Sequence, residues 1–264
     1  MEASKKICIS ILCKREPTSY AIYERLIKGT NISLEFISDD FHNLGSEIYC
    51  GKIGEFNFTI HSFSDNKVAE FGYINATPVD RIKNPCAWDK ALYRYCLEAY
   101  NLFDYVWLIE EDVFLPSGKN LQSLIKKMER FEADLFCKSH DIKEDYEVDK
   151  KTLENTIEKH RRYSMTCAVG LSKTLLSKIR EFVEKSQTLY NHEYLFNTIA
   201  ECNNLVVSRR PEMQGIYWKA PTNTTFFEVL KESRGYMFHP IKRFSAHKQL
   251  LAAYEELDKP LNTE

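Results

Sequence analysis

The chain has 264 residues, 44% hydrophobic and 13% aromatic, enough to bury a core without disulfides or a structural metal. Its 36 Lys and Arg stand against 38 Asp and Glu, a net charge of -2. That balance argues against wholesale disorder and leaves no global electrostatic case for binding nucleic acid or an anionic membrane surface.

Ile7, Ile9 and Ile11 open a β-branched strand that runs to Cys13. Lys14, Arg15 and Glu16 then cut off the apolar run, which is too short for a signal peptide or an anchor. After Pro17, the spacing of Tyr20, Ile22, Tyr23, Leu26 and Ile27 predicts a helix ending at Gly29. Ile32, Leu34 and Phe36 alternate as a second strand that stops at Ser38-Asp39-Asp40, and a third lies near Phe56 to Ser62. Asn84-Pro85 starts a helix carrying Trp88, Leu92, Tyr95, Cys96 and Ala99, with Pro85 in its first turn. The run Tyr105 to Ile109 is continuous rather than alternating, as in a strand buried on both faces, and ends abruptly in Glu110-Glu111-Asp112.

A helix from about Gly118 to Arg130 and a short strand, Asp134 to Cys137, come next. From Asp141 to Arg162 charges of both signs dominate, the pattern of a surface excursion. Ser164 to Leu171 reads as a buried strand, followed by helices on the stripe Leu175 to Val183 and over Asn191 to Cys202. A strand Leu205 to Val207, a loop-rich stretch through Tyr217-Trp218 and His239-Pro240-Ile241-Lys242, and a helix over about Phe244 to Leu257 complete the chain. No repeat or linker divides it, so the expected architecture is α/β in one domain with two functional halves.

No later run reaches the roughly 20 apolar residues of a spanning helix. The eight cysteines form no C-x-x-C pair and read as small buried hydrophobes of a reducing compartment, hence an expected cytoplasmic location. The sequons at Asn31, Asn57, Asn75 and Asn223 are then chance occurrences.

Three consecutive carboxylates after a buried strand raise one another's pKa unless cations or water screen them. Hard oxygen ligands at a strand end suit Mg²⁺ or Mn²⁺, which in turn hold a diphosphate; an ordinary solvated acidic turn is the structural alternative. With the preceding strand–helix order, the segment V-W-L-I-E-E-D-V at 106–113 resembles the nucleotide-sugar glycosyltransferases of the GT-A family. Their nucleotide-binding half is Rossmann-like and ends in a D-x-D or E-D-D metal motif, here with Glu111 at the central position.

The resemblance implies a GT-A fold in a single domain with a central mixed, mostly parallel sheet flanked by helices. The donor half spans about 1–112, and the acceptor half with a C-terminal metal and phosphate loop about 113–264. By position, Asp112 is the direct metal ligand, Glu111 faces the ribose or the metal's waters, and Glu110 faces the donor sugar. Lys14, Arg15, Asp39 and Asp40, at the ends of the first two strands, fall where the family holds its nucleotide, with helix caps or solvated turns as alternatives. Lys90, in the helix before the metal strand, is similarly placed. His239 would complete the metal shell and Lys242 would neutralise the departing diphosphate. The wording F-H-P-I-K at 238–242 is similar to glycosyltransferases of algae and their large viruses.

Glu193, at the start of the helix Asn191 to Cys202, occupies the station of the general base in inverting members; its alternative is a favourable charge at a helix N-terminus. Asp134 and Glu228 are reserves. The implied function is metal-dependent transfer of a sugar from a nucleoside diphosphate sugar, UDP by family frequency, to a hydroxyl of a glycan or glycoprotein. Nucleic acid is not expected as a partner, nor an integral membrane segment. A metal-dependent phosphohydrolase or nuclease would use the same acidic cluster but needs more converging ligands, and a third class is a silent sugar-binding or scaffold protein using aromatics such as Tyr217 and Trp218.

Overall fold

The computed structural model describes residues 5–14, 22–39, 47–53, 55–75, 84–115, 118–138, 164–216 and 237–257. Arg15, Asp40, the charged stretch 141–162, Tyr217, Trp218 and Glu228 lie outside the described residues. One sheet organises the rest. Its strands are β1 (Ile7–Cys13), β2 (Ser33–Ser38), β3 (Ile48–Ile53), β4 (Phe56–His61), β5 (Tyr105–Glu110), β6 (Leu135–Lys138), β7 (Ala168–Ser172) and β8 (Val207–Arg210). They lie in the order β3-β4-β2-β1-β5-β7-β6-β8. Only β3 and β7 run against the common direction, so the sheet is mixed and mostly parallel, as expected.

Both faces of the central strands are covered, which explains their unbroken hydrophobicity. On one face Cys8, Leu12, Val106 and Leu108 pack with helices α3 (Ala87–Tyr93), α5 (Lys173–Ser186) and α6 (His192–Cys202). On the other, Ile9, Ile11, Trp107 and Ile109 pack with α1 (Glu24–Ile27) and α4 (Gly118–Arg130). The remaining helices are α2 (Asp65–Glu70) and the C-terminal α7 (Phe244–Leu257). The helix over Gly118–Arg130 and the final helix fall where the hydrophobic spacing predicts them.

Four expectations shift. Cys86, not Asn84, caps α3, because the Asp89 carboxylate reaches back to the Cys86 N–H at 2.9 Å; Pro85 therefore lies just outside the first turn. The last turns of that helix continue as a π-helix over Arg94–Glu98. The strand expected at Leu205–Val207 is instead β8, since the Leu205 N–H still closes α6 on Ala200 O at 2.8 Å and pairing with β6 begins at Val207. Strand pairing in the stretch from Ser164 begins only at Ala168. The edge strand β3 carries no readable alternation, and its Gly51 lies opposite the Phe58 ring, where a Cβ would come within 2.3 Å of a ring carbon.

No helix among the described residues is long and apolar enough to cross a membrane. Five cysteines are buried, Cys86 is half-buried, and Cys50 and Cys202 are exposed.

Candidate active site

The chain passes from β1 through α1 to β2 on one side, and later returns to β5 on the other side of β1. Such a reversal leaves a crevice beyond the carboxyl ends of the two diverging strands. A cavity of about 340 Å³ lies there, walled by Leu12 and Cys13 at the end of β1, by Trp88 of α3, by Glu110 at the end of β5, and by Glu111 and Asp112 after it. Lys14, Asp39 and Lys242 also line it.

The acidic turn is held by its backbone. Glu111 N–H donates to Leu12 O at 2.9 Å, Glu110 N–H to Cys167 O at 2.8 Å, and the Tyr23 hydroxyl to Glu111 O at 3.0 Å. The Trp88 indole N–H donates to Glu110 Oε1 at 2.8 Å.

The positive groups come from the far end of the chain. Phe114 and Phe238 exchange main-chain hydrogen bonds of 2.7 and 3.0 Å, His239 N–H donates to Gly215 O, and Ile241 N–H to Asp112 O at 2.7 Å. Phe114, Phe238 and Leu250 form a small apolar cluster that anchors α7 to this loop. His239, 4% exposed, thereby places Nε2 3.2 Å from Asp112 Oδ1 and 3.4 Å from Glu110 Oε2. Lys242 pairs with Asp112 Oδ2 while its side chain stays 71% exposed.

Burial alone would raise both carboxyls, but the partners win. The His239 ring beside it, and then Lys242, hold Asp112 down at about 2, and His239 and the Trp88 N–H lower Glu110. The mutual repulsion expected of three adjacent acids is thus more than offset, and Asp112 is a stabilised carboxylate rather than a strained one. Asp39 behaves oppositely: burial raises its pKa despite Lys14, whose Nζ is 3.6 Å away, and despite Lys90. Among the described residues its Oδ1 is buried without a hydrogen-bond partner.

The other expected residues divide clearly. Lys90 does not reach the cavity: it is 1% exposed, donates to Asp39 O at 2.8 Å and pairs with Asp65 at 2.9 Å, so it positions Asp39 from beneath. Glu193 lies in the first turn of α6, whose cap Asn191 accepts from Glu193 N–H at 2.8 Å, and Glu193 O accepts from Ser164 N–H at 2.9 Å. It does not line the cavity, yet its charge falls on Cys167 together with those of Glu110 and Asp112. The reserve Asp134 is at the opposite end of the strands, before β6, accepting from Ser172 Oγ at 2.6 Å and Val206 N–H at 3.0 Å; it is a structural residue.

Three neighbours were not foreseen from the sequence. Cys167 immediately precedes β7, and because β7 runs antiparallel to β5, with Ile109 opposite Ala168, it arrives beside Glu110. Ligand atoms of Glu110, Cys167 and His239 all lie within 4.8 Å of one another. Burial pushes the Cys167 thiol well above its ordinary range, and the surrounding carboxylates add to it. His192 stacks on Trp88, ring centroids 4.4 Å apart and ring planes nearly parallel, which brings the start of α6 against the start of α3; burial lowers its pKa to about 4. Trp88 itself orients Glu110. The aromatic spacing of Trp88 and His192 carried no signal beyond that of a packed helix.

Metal ligands about 2.1 Å from a common ion sit roughly 3.0 to 3.5 Å apart. The separations of His239 from Asp112 and Glu110, 3.2 and 3.4 Å, fall in that range, so these residues fit a divalent cation.

Neither a family model nor a curated protein sequence matches this chain. Among solved structures, the apo form of mouse xyloside xylosyltransferase 1 is similar to it with a TM-score of 0.40 and 10% identity, covering 78% of this chain and 84% of that one.

Proposed function

We propose that this chain is a metal-dependent glycosyltransferase that moves a sugar from a nucleoside diphosphate sugar, with UDP as the expected nucleotide, to a hydroxyl of a glycan or glycoprotein, with inversion. The observation that carries this reading is the convergence of Glu110 and Asp112 with His239 and Lys242 in the crevice where the strand order reverses. A diphosphate brought against three carboxylates requires a cation.

Asp112 and His239 would hold Mn²⁺ or Mg²⁺, which neutralises the diphosphate and stabilises it as it leaves. The protein groups supply the rest. Asp39, which lines the cavity, accepts a hydrogen bond from the nucleotide's ribose or base. Lys242 and Lys14 are 71% and 77% exposed at their side chains and can swing onto the phosphates, where a fixed cation is worth more than one in bulk water. Arg15 and Asp40 are assigned to the same nucleotide, Glu111 to the ribose or the metal's waters, and Glu110 to the donor sugar. Glu193 takes the proton from the acceptor hydroxyl; the oxygen attacks the anomeric carbon, and the diphosphate departs with the bonding pair. Its support is its place in the first turn of α6, bonded through its carbonyl to Ser164 N–H and with its charge acting on Cys167 beside the acidic turn.

Thermal melting with UDP and with nucleotide sugars, each with and without Mn²⁺, tests the reading. A nucleotide at 100 times its dissociation constant raises stability by about 2.7 kcal/mol. Stabilisation that requires metal, followed by sugar transfer to an added acceptor, is the expected result. Nucleotide hydrolysis without transfer would identify a phosphohydrolase, and binding without any consumption a silent binder.

A further inference from the structure

The cluster that sequence reasoning missed has a chemistry different from that of the acidic turn. Asp112 and Glu111 offer only oxygen, which suits Mg²⁺ or Mn²⁺, whereas Glu110, Cys167 and His239 offer one oxygen, one sulfur and one nitrogen. Thiolate and imidazole together favour zinc, which binds sulfur at about 2.3 Å and nitrogen or oxygen at about 2.0 to 2.2 Å in a tetrahedron. Edges of such a tetrahedron are roughly 3.4 Å between nitrogen and oxygen and slightly longer to sulfur. His239 Nε2 and Glu110 Oε2 already stand 3.4 Å apart, and no ligand pair in the cluster exceeds 4.8 Å, so a small rotation of Cys167 completes three corners.

The three ligands are also buried or oriented by their neighbours, and a fourth corner is left for water. His239 is 4% and Cys167 7% exposed; Glu110 is tied by the Trp88 indole N–H and by its own main-chain bond to Cys167 O. Asp112, the hard ligand, is paired with Lys242.

We propose that Glu110, Cys167 and His239 form a binding site for a thiolate-preferring divalent cation, Zn²⁺ above all, distinct in ligand chemistry from the oxygen-preferring cation assigned to Asp112. On binding, the Cys167 S–H bond breaks, its proton passes to solvent, and the sulfur pair forms the bond to zinc; no electron is exchanged. His239 serves both ions, so occupancy by one excludes the other, and zinc acts as an antagonist of the Mg²⁺- or Mn²⁺-loaded state. The zinc site itself does not depend on the glycosyltransferase reading.

The test uses the full chain freed of metal by a chelator and titrated with Co²⁺, a spectroscopic substitute for Zn²⁺, under anaerobic conditions. The expected result is a near-ultraviolet thiolate-to-cobalt charge-transfer band that saturates at one equivalent and is bleached by Zn²⁺. Cys167→Ser should lose the band and bind Zn²⁺ at least about 100-fold more weakly in competition with a chromophoric chelator. Cys167→Ala, which buries no hydroxyl, is the second probe, and circular dichroism without metal verifies that each variant is folded. Cys86→Ser, in the cavity wall, should keep the band. Absence of the band in the wild-type chain, its survival in both Cys167 variants, or its loss in Cys86→Ser would overturn the proposal. Asp112→Asn separates the two readings: the cobalt band should persist there, while any Mn²⁺-dependent nucleotide binding is lost.

Discussion

Glu110, Glu111 and Asp112 are consecutive residues fixed at the end of a strand that is hydrogen-bonded on both sides, whereas Lys242, which neutralises Asp112, arrives 130 residues later in the sequence. The acidic wall belongs to the sheet. The cationic cover is attached to it by a short set of main-chain bonds, the two between Phe114 and Phe238 and those from His239 to Gly215 and from Ile241 to Asp112, and by the apolar cluster around Phe238. The wall should therefore survive perturbations that detach the cover, while the proposed chemistry requires both. A site built this way can open at the cover without unfolding the sheet, because local opening follows the weakest-packed unit.

The largest break is expected from Asp112→Ala, which removes the group where wall and cover meet. Mn²⁺-dependent donor binding and turnover should fall by far more than the roughly 10 to 100-fold that loss of an outer-shell partner causes. The sheet should stay folded by circular dichroism. Equal turnover in EDTA and in Mn²⁺ for the wild-type chain would contradict the metal assignment altogether.

Glu193→Gln keeps size and hydrogen bonding but not basicity. Transfer should drop by about 10² to 10⁴-fold while donor binding persists. A product retaining the donor's anomeric configuration would remove Glu193 from this role.

Two glycines compare the regions directly. At Gly215 a Cβ would stand 2.5 Å from Met237 O, the backbone of the cover; at Gly170 it would stand 2.6 Å from Met128 Sδ and 2.9 Å from the Trp107 ring, inside the wall's core. Either Ala variant should cost about 1 to 3 kcal/mol if the neighbours yield only partly. Gly215→Ala should in addition lose metal affinity, whereas Gly170→Ala should lower the melting temperature with metal affinity retained in the folded protein. Equal metal affinity in the two variants would mean that the cover is not fixed through Gly215.

Lys242→Ala should change stability by less than about 1 kcal/mol, since the ammonium is largely solvent-screened, yet lower kcat at least as much as it weakens donor binding. An effect confined to the donor KM would make Lys242 a ground-state binding residue.

The smallest effect is on acid stability. The folded pKa of Asp112, about 2, lies below its ordinary 3.8, so the contribution is complete above pH 4 or so and is lost as pH falls toward 2. Asp112→Asn should flatten the acid limb of the stability curve in that window; an unchanged limb would mean that the partners of Asp112 do not act on folding.

Much of the fold was readable because its signals are local. Continuous apolar runs marked β1 and β5, helical stripes marked α4, α5 and α7, and the abrupt E-E-D ending of β5 marked the wall. The edge strand β3 escaped because Gly51 and the polar residues around it break the alternation, and the boundary of α3 moved because an Asp89 side chain decided its cap. Lys90 looked like any basic residue near a nucleotide site; only its burial against Asp65 and the backbone of Asp39 shows that it supports the cavity rather than facing it.

The sequence by itself determined the α/β order and which strand ends carry charge, since hydrophobic period and chain termini of elements depend on neighbours a few residues away. Tertiary structure alone decided which partners meet there. The antiparallel register of β5 and β7 placed Cys167 beside Glu110, and the main-chain bridge between Phe114 and Phe238 carried His239 to the carboxylates. These contacts join residues far apart in the chain, and their pairing is fixed by strand register and close packing, which leave no periodic trace in the sequence.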